Sequence, residues 1–296
     1  MNNFRRVLNT VESLERVLVQ QGYSKNKGFY TRNTNEEHVQ SEPDKVWSIL
    51  AQNNPIQAAA ATNDSDWYAK YPHVIDQEIP DEEILALDAG CGYGRVAIPL
   101  LKNRTKLKII GVDASTVMLK TFWDLAETEG IEALDQRLVL LHSALSHLAF
   151  ADETFNRIYS CAVLLHNPYQ DVQDILTEFY RLLKPMGKVV LVGSFPNVMN
   201  LEGIQNFVYS KWFASPQANG PVRAYTRKSV QSLFINWKEI HISPTGVTIF
   251  PREIANIPMP LGPQIRRFNK WIDEKHFAMI SKSSLFSKHF DVVAQK

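Results

Sequence analysis

Between residues 84 and 194 five short apolar runs alternate with segments of helical character, and this alternation restricts the fold more than any other feature of the chain. The runs are ILALD (84–88), LKIIGVD (107–113), RLVLL (137–141), NRIYSC (156–161) and KVVLVGS (188–194). GRVAIPLLK, ASTVMLKTFWDLAETEG and DVQDILTEFYRLLKPMG lie between them. Continuous apolarity in strands this short requires burial on both faces, and strands separated by helices require a parallel sheet with right-handed crossovers. The expected fold is a doubly wound α/β sheet. YTRKSVQSLF then adds a helix, NWKEIHIS a strand and the closing FDVVAQK another strand. Between these last two, PREIANIPMPLGPQIRRFNKWIDEKHFAMISKSSLF is rich in Pro, Ile, Phe and Trp and too long for a simple connection, so it reads as an inserted cap.

Upstream, Phe4, Val7, Leu8, Val11, Leu14 and Leu18 recur at intervals of three and four, which predicts one helix over roughly residues 3–20. QGYSKNKGFYTRNTNEEHVQ is polar and reads as a loop, leading to a helix capped by Ser41 ahead of Pro43 and Asp44. From there to Pro80 the text is helical. Three regions follow: N-terminal helices over 1–80, a sheet core over 81–200, and the remaining core strands with their cap over 201–296.

With 296 residues and 45% hydrophobic content, the chain suffices for one sizeable core with an elaborated cap. Lys and Arg total 32 against 31 for Asp and Glu, so no global field points to nucleic acid or an anionic membrane, and neither is expected as a partner. Cys91 and Cys161 are the two cysteines and lack CxxC spacing, which gives neither a metal site nor a disulfide framework and fits a reducing compartment. The N-terminus has no uninterrupted apolar stretch of the secretory kind, and no segment approaches about eighteen apolar residues. A cytoplasmic protein is expected.

The chemistry concentrates in LDAGCGYGRVAIPLL (87–101). Glycines at 90, 92 and 94 follow a strand and open a helix, a placement that permits a tight turn and close approach of a ligand. Dinucleotide folds space these glycines G-x-G-x-x-G, whereas here the spacing is G-x-G-x-G with Asp88 before it. An acid beside the loop disfavours a pyrophosphate and favours an amine. Asp113 ends the next strand, where a carboxylate accepts hydrogen bonds from both hydroxyls of a ribose. The pair suits a nucleoside that bears an amino-acid tail.

LDAGCGYGRVAIPLL, IIGVDASTVMLK, FADETFNRIYSCAVLLHN and FYRLLKPMGKVVLV together resemble the successive motifs of class I S-adenosylmethionine-dependent methyltransferases, in the small-molecule, methyltransferase type 11-like branch. The resemblance covers roughly residues 82–195. It implies a Rossmann-like sheet of seven strands, the last antiparallel, and S-adenosyl-L-methionine as cofactor. By that resemblance Gly90, Cys91 and Gly92 approach the methionine part through their backbones, Asp113 holds the ribose, and Ala114 and Met118 lie against the adenine. Ser143, Ala144 and Leu145 form the loop where the family often carries an adenine-binding acid, which this chain lacks. Ser160 and Cys161 stand where relatives direct a backbone carbonyl at the cofactor's ammonium. Asn156 replaces the usual acid of its motif.

Several residues carry two readings. Asp88 either contacts the ammonium, directly or through water, or braces the loop. Cys91 is a small packing residue between glycines rather than a nucleophile. His166 in VLLHNPY is either a general base at the acceptor or a brace for its loop. HNPYQD lacks the second proline of the amino-methylating N-P-P-Y signature and lies about six residues too far from the strand. Trp67, Tyr68 and Tyr71 form either an aromatic lid, with Tyr68 or Tyr71 nearest the cofactor, or helix core. Arg266, Arg267 and Lys270 form a solvated helix face or a site for an acidic substrate. The activity these features imply is methyl transfer to oxygen or nitrogen of a small-molecule acceptor. The alternatives are a methyltransferase for protein side chains and a non-catalytic cofactor-binding protein.

Overall fold

A computed structural model describes residues 11–32, 74–200, 222–247, 261–280 and 287–296, with single positions 49, 52 and 204. Its strands are β1 (Tyr23–Asn26), β2 (Phe29–Arg32), β3 (Leu85–Ala89), β4 (Lys108–Asp113), β5 (Leu138–His142), β6 (Phe155–Cys161), β7 (Leu183–Pro196), β8 (Glu239–Val247) and β9 (Ser287–Gln295). They form one sheet in the order β1-β2-β5-β4-β3-β6-β7-β9-β8. From β5 to β7 all neighbours are parallel, and β9 pairs antiparallel with both β7 and β8. The expected seven-stranded core, with its last strand antiparallel, is therefore present.

Helices cover both faces. On one lie α1 (Val11–Gln20), α5 (Tyr169–Leu182) and α6 (Arg227–Ser232), whose Leu14, Leu18, Ile175, Phe179 and Val230 share a core with Leu87, Ile158 and Leu191. On the other lie α2 (Ala97–Asn103) and α3 (Thr116–Thr128), whose Leu100, Leu101, Leu119 and Phe122 pack with Ala86, Ile109 and Val190. The alternation of faces along β3, with Leu87 on one side and Ala86 on the other, explains why the run is apolar throughout. A short α4 (Leu134–Arg137) precedes β5, and a 20-residue α7 (Leu261–Ile280) lies inside the insertion before β9. Among the described residues no helix is long and apolar enough to cross a membrane.

The sheet has nine strands rather than seven because the segment read as a polar loop after α1 is a β-hairpin. Lys27 and Gly28, both at positive φ (42° and 87°), connect β1 to β2, and β2 joins the outer edge of β5 in parallel register. A two-residue turn with left-handed dihedrals at both positions matches the twist of the flanking strands. Phe29 and Tyr30 are both buried, one in each core. A Cβ on Gly28 would lie 2.1 Å from the Trp123 ring, so the turn rests directly on α3. The predicted first helix is described from Val11 onward, and the helices expected between 41 and 73 lie outside the described residues apart from positions 49 and 52.

The far end of the sheet from the glycine loop is tied together by Arg137, which is 6% exposed. Its guanidinium donates to the carbonyls of Leu107 (3.1 Å), Glu132 (3.1 Å) and Leu101 (2.7 Å), and also to that of Arg104. Leu101 and Arg104 lie at the C-terminal end of α2, where carbonyls have no partner within the helix. Replacing Arg137 by Met leaves these groups buried without a donor, and is expected to lower unfolding stability by about 2–4 kcal/mol. Urea denaturation followed by circular dichroism measures the loss, and an unchanged midpoint would contradict it.

Candidate active site

β3 lies at the point where chain order reverses, with β4 on one side and β6 on the other. In open α/β sheets the crevice at the carboxyl ends of such strands receives the ligand. The loop from Gly90 to Gly94 crosses that crevice and is bonded to the tip of β4. The amides of Gly90 and Cys91 both donate to the Val112 carbonyl (2.8 and 3.0 Å). The Gly92 amide donates to Asp113 Oδ2 at 2.8 Å, and the Ser115 amide to Oδ1 at 2.9 Å. Asp113 is thus aimed by one backbone donor on each oxygen. A carboxylate offers about four acceptor positions, so two amides orient it without exhausting it.

The three glycines do different work. Gly90 and Gly94 have φ of +76° and +83°, and a Cβ there would meet Val163 at 2.4 Å and Phe122 at 2.2 Å. Both are required by the protein's own packing. Gly92 has φ +53°, and a Cβ on it would meet nothing within 4 Å. Of the three, it alone turns bare backbone to open space. This cradle, beside a carboxylate already fixed by two amides, fits a nucleoside whose ribose lies on Asp113 and whose tail runs past Gly92.

Below the loop lies a buried polar cluster that sequence reading did not anticipate. Asp88 is 2% exposed and stands in register with Gly111 and Tyr159. Burial pushes its carboxyl up to about 8; Asp113 also raises it, while the Tyr159 hydroxyl and Arg95 oppose the shift. That hydroxyl lies near enough to act on Asp88, yet neither it nor Asp88 Oδ2 reaches a partner at hydrogen-bonding geometry. Asp88 therefore presents almost no surface to a ligand. Cys91 is buried with room made by Gly111, and burial raises its thiol pKa well above the ordinary value, as the packing reading requires. Burial likewise pushes Cys161 to about 12, and its Sγ accepts a hydrogen bond from Arg95 Nη2 at 3.2 Å.

The other expected residues line the same ends of the strands. Ser160 is fully buried and its hydroxyl donates to the Ala89 carbonyl at 2.7 Å, which turns the side chain into the sheet and leaves only backbone for a ligand. Met118 is buried in the N-terminal turn of α3, where its amide donates to the capping Ser115 hydroxyl at 3.4 Å. The Ala114 carbonyl is bonded by His142 Nε2 at 3.0 Å, a contact between the tips of β4 and β5 that the sequence did not advertise. Ser143 donates its amide to the Asp113 carbonyl (3.2 Å) and its hydroxyl to the Ala144 carbonyl (3.2 Å). Ala144 is exposed, and Leu145 rests against the core. His166 closes a short 3₁₀ turn, Leu164–His166, and is 7% exposed. Tyr68 and Tyr71, with Trp67, lie outside the described residues.

A G-x-G-x-G loop held to an acid at the next strand tip, on a sheet of order β5-β4-β3-β6-β7-β9-β8, is the arrangement expected from the resemblance to class I S-adenosylmethionine-dependent methyltransferases. Residues 87–191 match the family Methyltransf_11, a methyltransferase domain. Methyltransferase GfsG of Streptomyces halstedii is 32% identical over 105 residues, covering 36% of this chain and 36% of that protein. Erythromycin 3''-O-methyltransferase of Saccharopolyspora erythraea is 31% identical over 36% of this chain and 33% of its own length. The ubiquinone/menaquinone biosynthesis C-methyltransferase UbiE of Dinoroseobacter shibae is 32% identical over 36% of this chain and 40% of its own. The chain thus spans about a third of the length of these relatives. Among solved structures, a SAM-dependent methyltransferase from Thermotoga maritima has the same fold, with a TM-score of 0.52 at 16% identity over 86% of this chain and 99% of that one.

The raised Asp88 carboxyl has a measurable consequence. The folded protein holds that proton up to about 8, whereas the unfolded chain releases it near 3.9. Between those values the folded state binds more protons, so this group's contribution to stability falls as pH rises. Asp88→Asn removes the contribution. Its melting temperature relative to the parent is expected to climb steadily from pH 5 to pH 8, and a difference that stays constant with pH would refute the buried, protonated acid.

Proposed function

We propose that the protein transfers the methyl group of S-adenosyl-L-methionine to an oxygen or nitrogen of a small-molecule acceptor. The observation that carries the reading is the Asp113 carboxylate, fixed by the Gly92 and Ser115 amides beside the open backbone of Gly92. When bound, the cofactor supplies a sulfonium methyl carbon, to which an acceptor lone pair bonds as the carbon–sulfur bond breaks. The chain's share of such an in-line displacement is alignment and exclusion of water, and a base is needed only where the acceptor must lose a proton. Asp113 and the loop fix the nucleoside end. The acceptor is assigned to the N-terminal region to residue 80 and the insertion containing α7, whose Trp, Phe and Ile content suits a partly apolar molecule.

The relatives support a small molecule without choosing it. Their names include an erythromycin 3''-O-methyltransferase and a ubiquinone/menaquinone biosynthesis C-methyltransferase. Oxygen or nitrogen is preferred to carbon here because such nucleophiles already carry the attacking lone pair, and His166, the base candidate named from the sequence, is nearly sealed from solvent. We assign His166 to bracing the turn after β6.

Asp113→Ala is expected to weaken S-adenosylmethionine binding by about tenfold or more in calorimetry, since it removes a charged hydrogen-bond acceptor. Unchanged affinity would overturn the cofactor assignment. Incubation with labelled cofactor and a panel of hydroxylated and amine acceptors is expected to yield S-adenosylhomocysteine and a methylated product. Tight cofactor binding without turnover on any acceptor would favour a binding protein of the same fold.

A further inference from the structure

A second polar arrangement lies beyond the tip of β6, beside the Leu164–His166 turn, and it begins with a hydroxyl that has nothing to bond. Tyr225 is 4% exposed, and its hydroxyl is buried without a hydrogen-bond partner among the described residues. Its backbone is fixed: the amide donates to the Pro196 carbonyl at 2.7 Å, and the carbonyl accepts the Val198 amide at 2.9 Å. The ring is held edge-on by Phe195 at 5.2 Å and lies 6.4 Å from the ring of Tyr169. A buried hydroxyl left unbonded costs about 1–3 kcal/mol, which a phenylalanine at the same place would avoid.

Two sources of positive potential adjoin that hydroxyl. Arg223 is exposed and pairs with no carboxylate among the described residues, and its amide donates to the Leu165 carbonyl at 2.8 Å, which fixes it beside the turn after β6. Burial pushes the Tyr225 hydroxyl up to about 12, while the Arg223 charge opposes the rise and Tyr169 adds to it, so the guanidinium and the two tyrosine hydroxyls share one locality. The second source is the N-terminus of α5. Its cap, Pro168, offers no side-chain acceptor, and the first helical bond runs from the Val172 amide to the Pro168 carbonyl at 3.0 Å. The amides of Tyr169, Gln170 and Asp171 therefore stand uncapped at the positive pole of a 14-residue helix. The Asp171 carboxylate in that turn meets part of the helix charge, so a singly charged anion suits the place better than a phosphate. The ring of Tyr169, 42% exposed with its hydroxyl 3.2 Å from Ser232 Oγ, offers such a ligand an apolar wall.

We propose that Tyr225, Arg223 and the N-terminus of α5 form a subsite for a carboxylate of the methyl acceptor, carried on a ring or another flat apolar group. The assignment rests on the methyltransferase reading and gives the acceptor a chemical class, that of a small organic acid. Val163, just before the Leu164–His166 turn, is the residue that a Cβ on Gly90 would strike at 2.4 Å, so the subsite and the glycine loop share one short segment of chain. An acceptor anchored there extends toward the crevice above β3. Tyr169, whose hydroxyl is held by one exposed hydrogen bond, is the side chain that yields as the ligand enters. Binding gives the Tyr225 hydroxyl its acceptor, and the stability that the fold forgoes returns as affinity.

The test titrates the full chain by calorimetry with benzoate, with benzamide as its uncharged match and with phenyl phosphate as its phosphate counterpart. Benzoate is expected to bind the parent about tenfold or more tighter than benzamide, and tighter than phenyl phosphate. In Arg223→Gln the advantage over benzamide is expected to fall to within about twofold. Tyr225→Phe is expected to weaken benzoate about 3- to 10-fold while its melting temperature stays level or rises, since it deletes a hydroxyl that the fold leaves unbonded. A merely structural tyrosine gives the opposite pair of results, a lower melting temperature with benzoate affinity unaltered, and that pair overturns the subsite. Equal binding of benzoate and benzamide by the parent overturns it without any variant, as does a preference that persists in Arg223→Gln, and tighter binding of phenyl phosphate overturns the choice of a carboxylate. S-adenosylhomocysteine is titrated alongside, and both variants are expected to keep the parent's affinity for it. Failure of the parent to bind S-adenosylhomocysteine sinks the methyltransferase reading, whereas failure of benzoate alone sinks only the subsite.

Discussion

The hydrogen bond from the Gly92 amide to the Asp113 carboxylate joins the two strand tips on which the candidate site depends. Alone, a loop with glycines at 90, 92 and 94 would sample many conformations, because glycine pays the largest backbone entropy on ordering. Three bonds remove that freedom: Gly90 and Cys91 on the Val112 carbonyl, and Gly92 on Asp113. Both acceptors belong to the last two residues of β4, whose position is set by five-residue registers with β3 and with β5. The acid that orders the loop is therefore also the acid that the proposed reading offers to the ribose. Coupling the two roles means that the cradle is formed before a ligand arrives, which lowers the ordering cost of binding.

Around that clasp the fold tolerates groups that a purely structural core would avoid. Asp88 Oδ2 and the Tyr159 hydroxyl are buried without satisfied hydrogen bonds, and each such group costs on the order of 1–3 kcal/mol. Ala162, the residue after β6, holds a left-handed φ of 58° that costs an L-residue about 1–2 kcal/mol, and its amide is anchored to the Val192 carbonyl at 2.8 Å. Strain and unsatisfied polarity meet in one place, between the tips of β3 and β6, while the apolar layers on both faces of the sheet supply the compensating stability. Such concentration is characteristic of functional sites. A second polar clasp marks the other half of the sheet. Asp291 on β9 accepts the Gly193 amide (2.8 Å) and the Thr245 hydroxyl (2.7 Å), linking the tips of β7, β9 and β8 where the β7–β9 register shifts.

How much of this was legible in the sequence follows from how local each determinant is. The strands β3 to β9 and helices α2, α3, α5 and α6 were readable because each is a short run whose burial imposes its own pattern. The β1–β2 hairpin was not, since Tyr23, Phe29 and Tyr30 are separated by polar residues that face solvent at the sheet edge; its one local signal was the Lys27–Gly28 turn between aromatics. Asp113 was readable from its place at a strand end. The enclosure of Asp88 was not, because it depends on Tyr159, 71 residues further along and opposite it in the sheet. The glycines show the same limit from another side. Spacing marked all three as special, but only their neighbours in space, Val163 and Phe122, separate the two that serve packing from the one that faces open space.

The division of the chain follows the division of the chemistry. Alignment of a methyl donor requires fixed geometry, and the determinants proposed for it are backbone amides and a strand-end carboxylate, all within the segment from 87 to 191 that matches the methyltransferase family. Recognition of the acceptor requires variety, and on the proposed reading it falls to what is added around that segment: the N-terminal region and the insertion that carries α7. Neither addition interrupts the bonds among β3, β4 and β6, because the insertion leaves the sheet from β8 and returns at β9, beyond β7 from the glycine loop. A change in the cap can therefore alter the acceptor while leaving the donor in place, which is the arrangement that lets one fold serve many substrates.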